Sequence, residues 1–256
     1  HIGPQYWSMT MATPKMPGVP FSIKLVDEMA GYDSGDNVIA PIDSVVTKAQ
    51  KREKITERID RVVRVPESHK TLTPPAPIAV KIDLMRTCNY KCGFCAHTKI
   101  DRQTGSMDWS VYLGILEQLK ACGVEEVAPF FFGESFLHPR IADAVQAARD
   151  AGFEYVFLTT NGSAATQAKV QACMKAGLSS LKFSLNYSDA QQLAEIANVS
   201  PKMFDKVVRN IKAARAIRDQ GGFKCGLYAS YIEYDSVQGE RMKALLEELA
   251  PYLDEV

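Results

Sequence analysis

From Ile78 onward the chain alternates between two apolar patterns. Short runs rich in β-branched and aromatic residues predict strands: "IAVKIDLM" (78–85), "VEEVAPFFF" (124–132), "EYVFLTT" (154–160), "LSSLKFSLN" (178–186) and "FKCGLYASYIEY" (223–234). Longer segments between and after them predict helices over 107–123, 138–152, 165–177, 200–219 and 239–253. Asp108 stands near the start of the first helix and Gly123 just past its end. Pro139 falls in the first turn of the second helix and Gly152 at its stop. Five β-α units in series demand a parallel sheet with right-handed crossovers. The class is α/β, either a complete or partial (β/α) barrel or a doubly wound sheet. In this rhythm a sixth strand should begin at "LDEV" (253–256). The expectation is that the sequence stops short of it and leaves the fifth strand as an open edge.

Upstream the pattern is different. Residues 1–22 are rich in proline, methionine and glycine and read as a flexible leader. Residues 23–77 form an N-terminal extension. Within it Val45, Ala49, Ile55, Ile59 and Val62 share one helical face, predicting a charged amphipathic helix packed on the outside of the main domain. The proline-punctuated "TLTPPAPIA" (71–79) is a linker, so the main domain is placed at 78–256.

Composition narrows the function classes. Lysine plus arginine balances aspartate plus glutamate at 30 each, so no net field recruits nucleic acid or an anionic membrane. No apolar run is long enough to span a bilayer. The N-terminus lacks the charged-then-apolar pattern of a signal peptide, which favours the cytoplasm. Six cysteines in 256 residues are too sparse for a disulfide scaffold. Cys122, Cys173 and Cys225 are scattered and read as buried apolar residues or inert thiols.

The other three cysteines are concentrated. Cys88, Cys92 and Cys95 fall in "CNYKCGFC", directly after the first strand. In parallel α/β folds, ligands meet the loops at the carboxyl ends of the strands. "GESFLHP" (133–139), "TTNG" (159–162), "SLNYSD" (184–189) and "SYIEY" (230–234) follow the other four strands, so five polar or reactive stretches converge on one face. A structural zinc site wants four ligands, and here the fourth would be His97 or a distant residue. A [4Fe-4S] cluster held by three thiolates keeps one iron open for substrate or cofactor. Gly93 would let the loop backbone approach such a cluster closely.

Cys88-x3-Cys92-x2-Cys95 after the first strand, with Phe94 before the last cysteine and "GESFLHP" after the second strand, resembles the radical S-adenosylmethionine (SAM) superfamily. The resemblance runs from about Ile78 to the end and implies a partial (β/α)6 TIM-like barrel. It implies that Cys88, Cys92 and Cys95 hold a [4Fe-4S] cluster whose open iron is chelated by SAM. By the same resemblance Phe94 lies against the adenine, and Gly133, Glu134 and Ser135 match the stretch that binds the methionine amino group. Phe132 stands where that stretch often has its first glycine, and Ser135 where proline is common. Ser184, Asn186 and, less directly, Asn161 match ribose and carboxylate contacts. The family's glycine-rich motif on the fifth strand is not evident in "CGLYASYIEY".

The implied reaction is reductive cleavage of SAM to a 5′-deoxyadenosyl radical that abstracts hydrogen from substrate, fed by a flavodoxin- or ferredoxin-type electron donor. "GESFLHP" and "CNYKCGFC" most resemble the branch carrying a cysteine-rich SPASM or twitch extension. That branch points to a peptide or natural-product substrate. The alternatives are a radical dehydrogenase, epimerase or methyltransferase acting on a small molecule, and a non-enzymatic iron-sulfur or zinc binding protein. His97 and Lys99 read as solvated or substrate-facing, and His138 as structural at a helix start. Tyr187, Tyr231 and Glu233 read as substrate-facing or as packing and loop-filling residues.

Overall fold

The computed structural model describes residues 54–65, 67–99 and 104–256, all within one compact unit. The leader and residues 45–53 of the expected amphipathic helix lie outside these described residues. Strands β1 (Ala79–Lys81), β2 (Glu126–Ala128), β3 (Tyr155–Thr160), β4 (Ser180–Ser184) and β5 (Gly226–Ser230) form one sheet in the order 1-2-3-4-5. Every neighbouring pair is parallel. The order never reverses, so the sheet has barrel winding and no switch point of a doubly wound fold. The helices are α1 (Ile55–Val63), α2 (Trp109–Ala121), α3 (Ile141–Asp150), α4 (Gln167–Lys175), α5 (Ala190–Ala197), α6 (Met203–Gln220) and α7 (Ser236–Leu249).

Strand alternation separates two environments. On β3, buried Val156 and Leu158 alternate with half-buried Tyr155, Phe157 and Thr159. The buried set joins Leu181, Phe183 and Leu227 from β4 and β5, and Leu116, Val145, Val170 and Ile211 from the helices, in one core. Each such side chain contributes about 1.5–3 kcal/mol by leaving water. Asp108 caps α2 by accepting from Ser110 N at 2.8 Å and Val111 N at 3.3 Å. Gly123 and Gly152 follow α2 and α3 with φ of 88° and 87°, where a side chain would be strained.

Helix α5 was not legible as a helix in the strand-helix rhythm. Asp189 caps it by accepting from Gln192 N at 2.9 Å, and the Gln192 side chain reaches back to accept from Ser188 N at 2.7 Å. This reciprocal cap was the available signal, written as an acid followed three residues later by glutamine. Asp235 and Gln238 repeat it at the start of α7, which begins three residues earlier than the expected 239.

The end of the described chain turns to run beside β5. Tyr228 pairs in parallel with Glu255, Ala229 N donates to Glu255 O at 3.1 Å, and Asp254 N donates to Leu227 O at 2.6 Å. This is where the sixth strand was expected, so the edge of β5 is engaged there. The Asp254 carboxylate accepts from Leu227 N at 2.8 Å and from buried Arg218 Nη1 at 2.5 Å.

Helix α1 packs on the main domain through a polar residue. Its Arg58 is buried and pairs with the buried Glu126 carboxylate, on the first residue of β2. The guanidinium lies 3.5 Å from the ring centroid of Tyr155, the first residue of β3. The helix therefore seats against the amino ends of the strands, opposite the face where the loops of interest emerge. Its own first turn is held by Glu255, whose carboxylate accepts from Ile55 N, Thr56 N and Thr56 Oγ1. Removing one partner of a buried ion pair costs about 3–5 kcal/mol. Arg58→Ala is therefore expected to lower unfolding free energy by about 3 kcal/mol or more in a urea titration, while an exposed change such as Glu57→Ala has little effect.

Candidate active site

The carboxyl ends of the first four strands surround a cavity of about 170 Å³ that opens to solvent. Cys88, Cys92, Phe94 and Cys95 line it from the loop after β1, and Gly133 and Glu134 from the loop after β2. Asn161 lines it after β3, and Ser184 and Asn186 at and after the end of β4. Nine of the ten residues expected at the site therefore share one cavity. Ser135 does not line it. Its buried hydroxyl donates to Thr159 O at 2.6 Å, fastening the loop to β3.

The loop after β2 is placed by one very close approach. A Cβ on Gly133 would stand 1.9 Å from Met85 O and 2.8 Å from Thr87 O, so only glycine fits against the loop after β1. Glu134 N donates to Thr87 O at 3.0 Å in the same contact. The Glu134 side chain then turns inward and is buried. Its Oε1 accepts from Phe136 N at 3.0 Å and Thr160 Oγ1 at 2.6 Å, and its Oε2 from Asn161 N at 2.7 Å. Burial pushes this carboxyl above the ordinary range, while these donors and Lys169 pull against the rise. Both carboxylate oxygens thus hold the protein together, and Oε2, with a single donor, keeps further acceptor capacity.

The cysteine loop is fixed from two sides. Asn161 Nδ2 donates to Asn89 Oδ1 at 3.0 Å, and Asn89 Nδ2 donates to Ser163 Oγ at 2.8 Å. Ser163 Oγ in turn donates to Asn161 Oδ1 at 2.6 Å. On the other side Lys91 N and Gly93 N donate to Ala197 O and Ile196 O, at 2.9 and 3.0 Å. Those carbonyls belong to the last turn of α5, where helix carbonyls otherwise lack partners. The helix stops there because Asn198 adopts a left-handed conformation, φ 53°. Asn89, Ser163 and the end of α5 were missed in the sequence, because their roles arise from pairings between distant loops. A Cβ on Gly93 would meet no protein atom within 4 Å, so the close approach demanded by the polypeptide itself is at Gly133.

Cys88, Cys92 and Cys95 are half-buried free thiols close enough to influence one another electrostatically. Burial pushes the Cys92 thiol up to about 12, with Cys88 and Cys95 adding to the rise. Burial raises Cys88 as well. Among the described residues no three His, Cys, Asp or Glu side chains converge as a single metal ion would require. Corner-by-corner ligation of a cluster spaces its thiolates farther apart, and iron supplies the charge that displaces their protons. Three half-buried free thiols in one loop are the donor set that thiolate ligation of a cluster uses.

Residues 82–226, more than half of the chain, match the radical SAM superfamily. The chain belongs to the radical SAM superfamily. The cofactors of radical SAM proteins are a [4Fe-4S] cluster and SAM. Over 138 residues the chain is 28% identical to a PqqA peptide cyclase of Methylobacterium sp., covering 52% of this chain and 36% of that protein. Over 118 residues it is 30% identical to a GTP 3′,8-cyclase of Chlorobaculum tepidum, covering 46% of this chain and 35% of that protein. The aligned part is thus about a third of the length of each of these curated relatives. The fold is similar to that of Streptococcus suis SuiB bound to S-adenosylmethionine, with a TM-score of 0.56 at 22% identity. That likeness covers 76% of this chain and 43% of SuiB.

Other residues singled out in the sequence are placed as follows. His97 Nε2 lies 2.6 Å from Arg86 O, a tie within the loop after β1, and Lys99 is exposed. His138 is buried, and its Nδ1 accepts from Arg140 N at 3.2 Å, at the start of α3. Tyr187 is buried, whereas Tyr231 and Glu233 are exposed. The Phe94 ring is 44% exposed at the mouth of the cavity and lies 6.3 Å from the ring of Tyr234. Of the scattered cysteines, Cys173 and Cys225 are buried as expected. Cys122 is exposed, because it follows the last turn of α2 on the solvent side.

Two outcomes follow. Gly133→Ala must displace backbone carbonyls, and is expected to destabilise the fold by about 3 kcal/mol or more in urea titrations. The second concerns His138, held down at about 4 by burial, with Arg140 adding to the fall. The unfolded chain takes up this proton first, near 6.5, so the contribution is complete above that pH and is lost as pH falls toward 4. The loss is on the order of 2 kcal/mol. His138→Asn, which keeps an acceptor for Arg140 N, should flatten the fall in thermal stability across that window.

Proposed function

We propose that this chain is the SAM-cleaving part of a radical enzyme that acts on a peptide or natural-product substrate. The observation that carries the reading is the meeting of three mutually close thiols with four strand-end loops around one cavity. Cys88, Cys92 and Cys95 hold the cluster. Gly133, through its backbone, and Glu134, through the free capacity of Oε2, receive the methionine amino group. Ser184 and Asn186, at and just past the end of β4, take the ribose and carboxylate, with Asn161 across the cavity. Phe94, on the exposed rim, covers the adenine, while buried Ser135 braces the stretch from behind. Bound together, the cluster and SAM supply a 5′-deoxyadenosyl radical for hydrogen abstraction.

What the polypeptide contributes is position and exclusion of water. The Glu134 hydrogen bonds lock the loops after β2 and β3 against each other, and Phe130, Phe131 and Phe132 form an apolar wall that is a poor source of protons. The PqqA peptide cyclases among the relatives support a peptide substrate, and the GTP cyclase supports keeping small natural products within the class. A flavodoxin- or ferredoxin-type donor supplies the electron, and the protein works in the cytoplasm. Among the described residues no helix is long and apolar enough to cross a membrane.

The test is anaerobic reconstitution with iron and sulfide, reduction with dithionite, addition of SAM, and mass spectrometry for 5′-deoxyadenosine. Turnover is expected in the parent chain and should fall at least a hundredfold in Cys92→Ala. Equal product from both proteins would overturn the assignment of the cysteines. A loaded cluster that cleaves no SAM would overturn the enzymatic reading for this chain.

A further inference from the structure

Two tyrosines of the cavity carry hydroxyls that the described residues leave unsatisfied. Tyr90 lies between Cys88 and Cys92 and is 4% exposed; Tyr187 follows β4 and is 3% exposed. Both line the cavity. Each Oη is fully buried and has no hydrogen-bond partner among the described residues. Ser163 Oγ, which accepts from Asn89 Nδ2 and donates to Asn161 Oδ1, stands near the Tyr90 hydroxyl and favours its ionised form slightly, but lies outside hydrogen-bonding geometry. Tyr187 is held by an edge-on contact with Phe204, ring centroids 6.1 Å apart.

A buried hydroxyl without a partner costs about 1–3 kcal/mol, and such groups are few in folded proteins. Packing does not explain these two, since phenylalanine would fill the same space without that penalty. Two lining one cavity point to an acceptor that the described residues do not supply. Their surroundings say which kind. Tyr187 lies within electrostatic reach of Cys92 and Tyr90, and Tyr90 within reach of Cys92, Cys88 and Glu134. A phenol ordinarily titrates at about 10, so both hydroxyls are protonated donors at neutral pH.

We infer that Tyr187, supported by Tyr90, donates a hydrogen bond from its hydroxyl to a sulfide of the cluster. This rests on the reading that Cys88, Cys92 and Cys95 hold the cluster. Reduction adds negative charge to the sulfurs, so a donor aimed at them stabilises the reduced form more than the oxidised one. Hydrogen bonds to sulfur are among the factors that set the potential of such clusters. The two tyrosines would thus make the cluster easier for a donor to reduce.

The experiment is a potentiometric titration followed by electron paramagnetic resonance, without SAM, on the reconstituted parent chain, Tyr187→Phe and Tyr90→Phe. Iron and sulfide content are measured alongside. The expected result is full loading of Tyr187→Phe, with a reduced-to-oxidised ratio about tenfold lower at a fixed potential. For one electron that is a midpoint about 59 mV more negative. Pulsed resonance on the reduced parent, transferred to D2O, should show an exchangeable proton coupled to the cluster that is missing in Tyr187→Phe. Loaded clusters with unchanged midpoints in both variants would overturn this inference and leave the cysteine assignment standing. Failure of the parent to load any cluster would overturn both. Should Tyr187→Phe not load, the proton coupling in the parent decides alone, and its absence counts against the inference.

Discussion

The buried carboxylate of Glu134 is the constraint on which the site depends. Three donors from two loops converge on it, and its own backbone is pressed against the carbonyl of Thr87. The ends of β1, β2 and β3 therefore cannot move independently. A carboxylate out of water is expensive unless it is fully hydrogen-bonded, so the three loops are held in the one arrangement that satisfies it. The approach at Gly133 makes that arrangement possible, since any side chain there would force the first two loops apart. The cavity inherits its shape from this knot.

The loop that carries the thiols is irregular over most of its length, yet it is anchored at both flanks. One anchor is the amide and hydroxyl network of Asn89, Asn161 and Ser163. The other is the last turn of α5, which accepts two amide hydrogens from the loop. A helix end that would otherwise need water instead serves as a template for a segment without regular structure. This lets half-buried thiols be gathered in one place without a disulfide or a sheet to hold them.

Much of this was legible in the sequence, for physical reasons. Strand and helix periods differ, so the five parallel units could be read directly, and caps such as Asp108 and Gly123 marked their bounds. The strand-end rule brought the polar stretches to one face, and nine of the ten residues that the resemblance named there line one cavity. What escaped depends on three-dimensional neighbours. Helix α5 is short, and its cap was hidden inside a stretch read as a strand ending. Ser135 looked like part of a binding motif, but its hydroxyl faces β3. Arg58 sat in a segment whose charge suggested a solvated face, and only Glu126 and Tyr155, far along the chain, make its burial tolerable.

Arg58 also bears on modularity. The proline-rich linker before β1 looks like a seam where a domain could be cut, exchanged or fused. The chain does not treat it as one. A barrel beginning at Ile78 would leave behind the guanidinium that neutralises Glu126 and covers the Tyr155 ring, and it would separate Glu255 from the amides it caps. The helix before the linker is thus the floor of the barrel, supplied from outside the repeating units. In a shuffled or engineered gene, the segment carrying Arg58 has to travel with the strands whose lower end it closes.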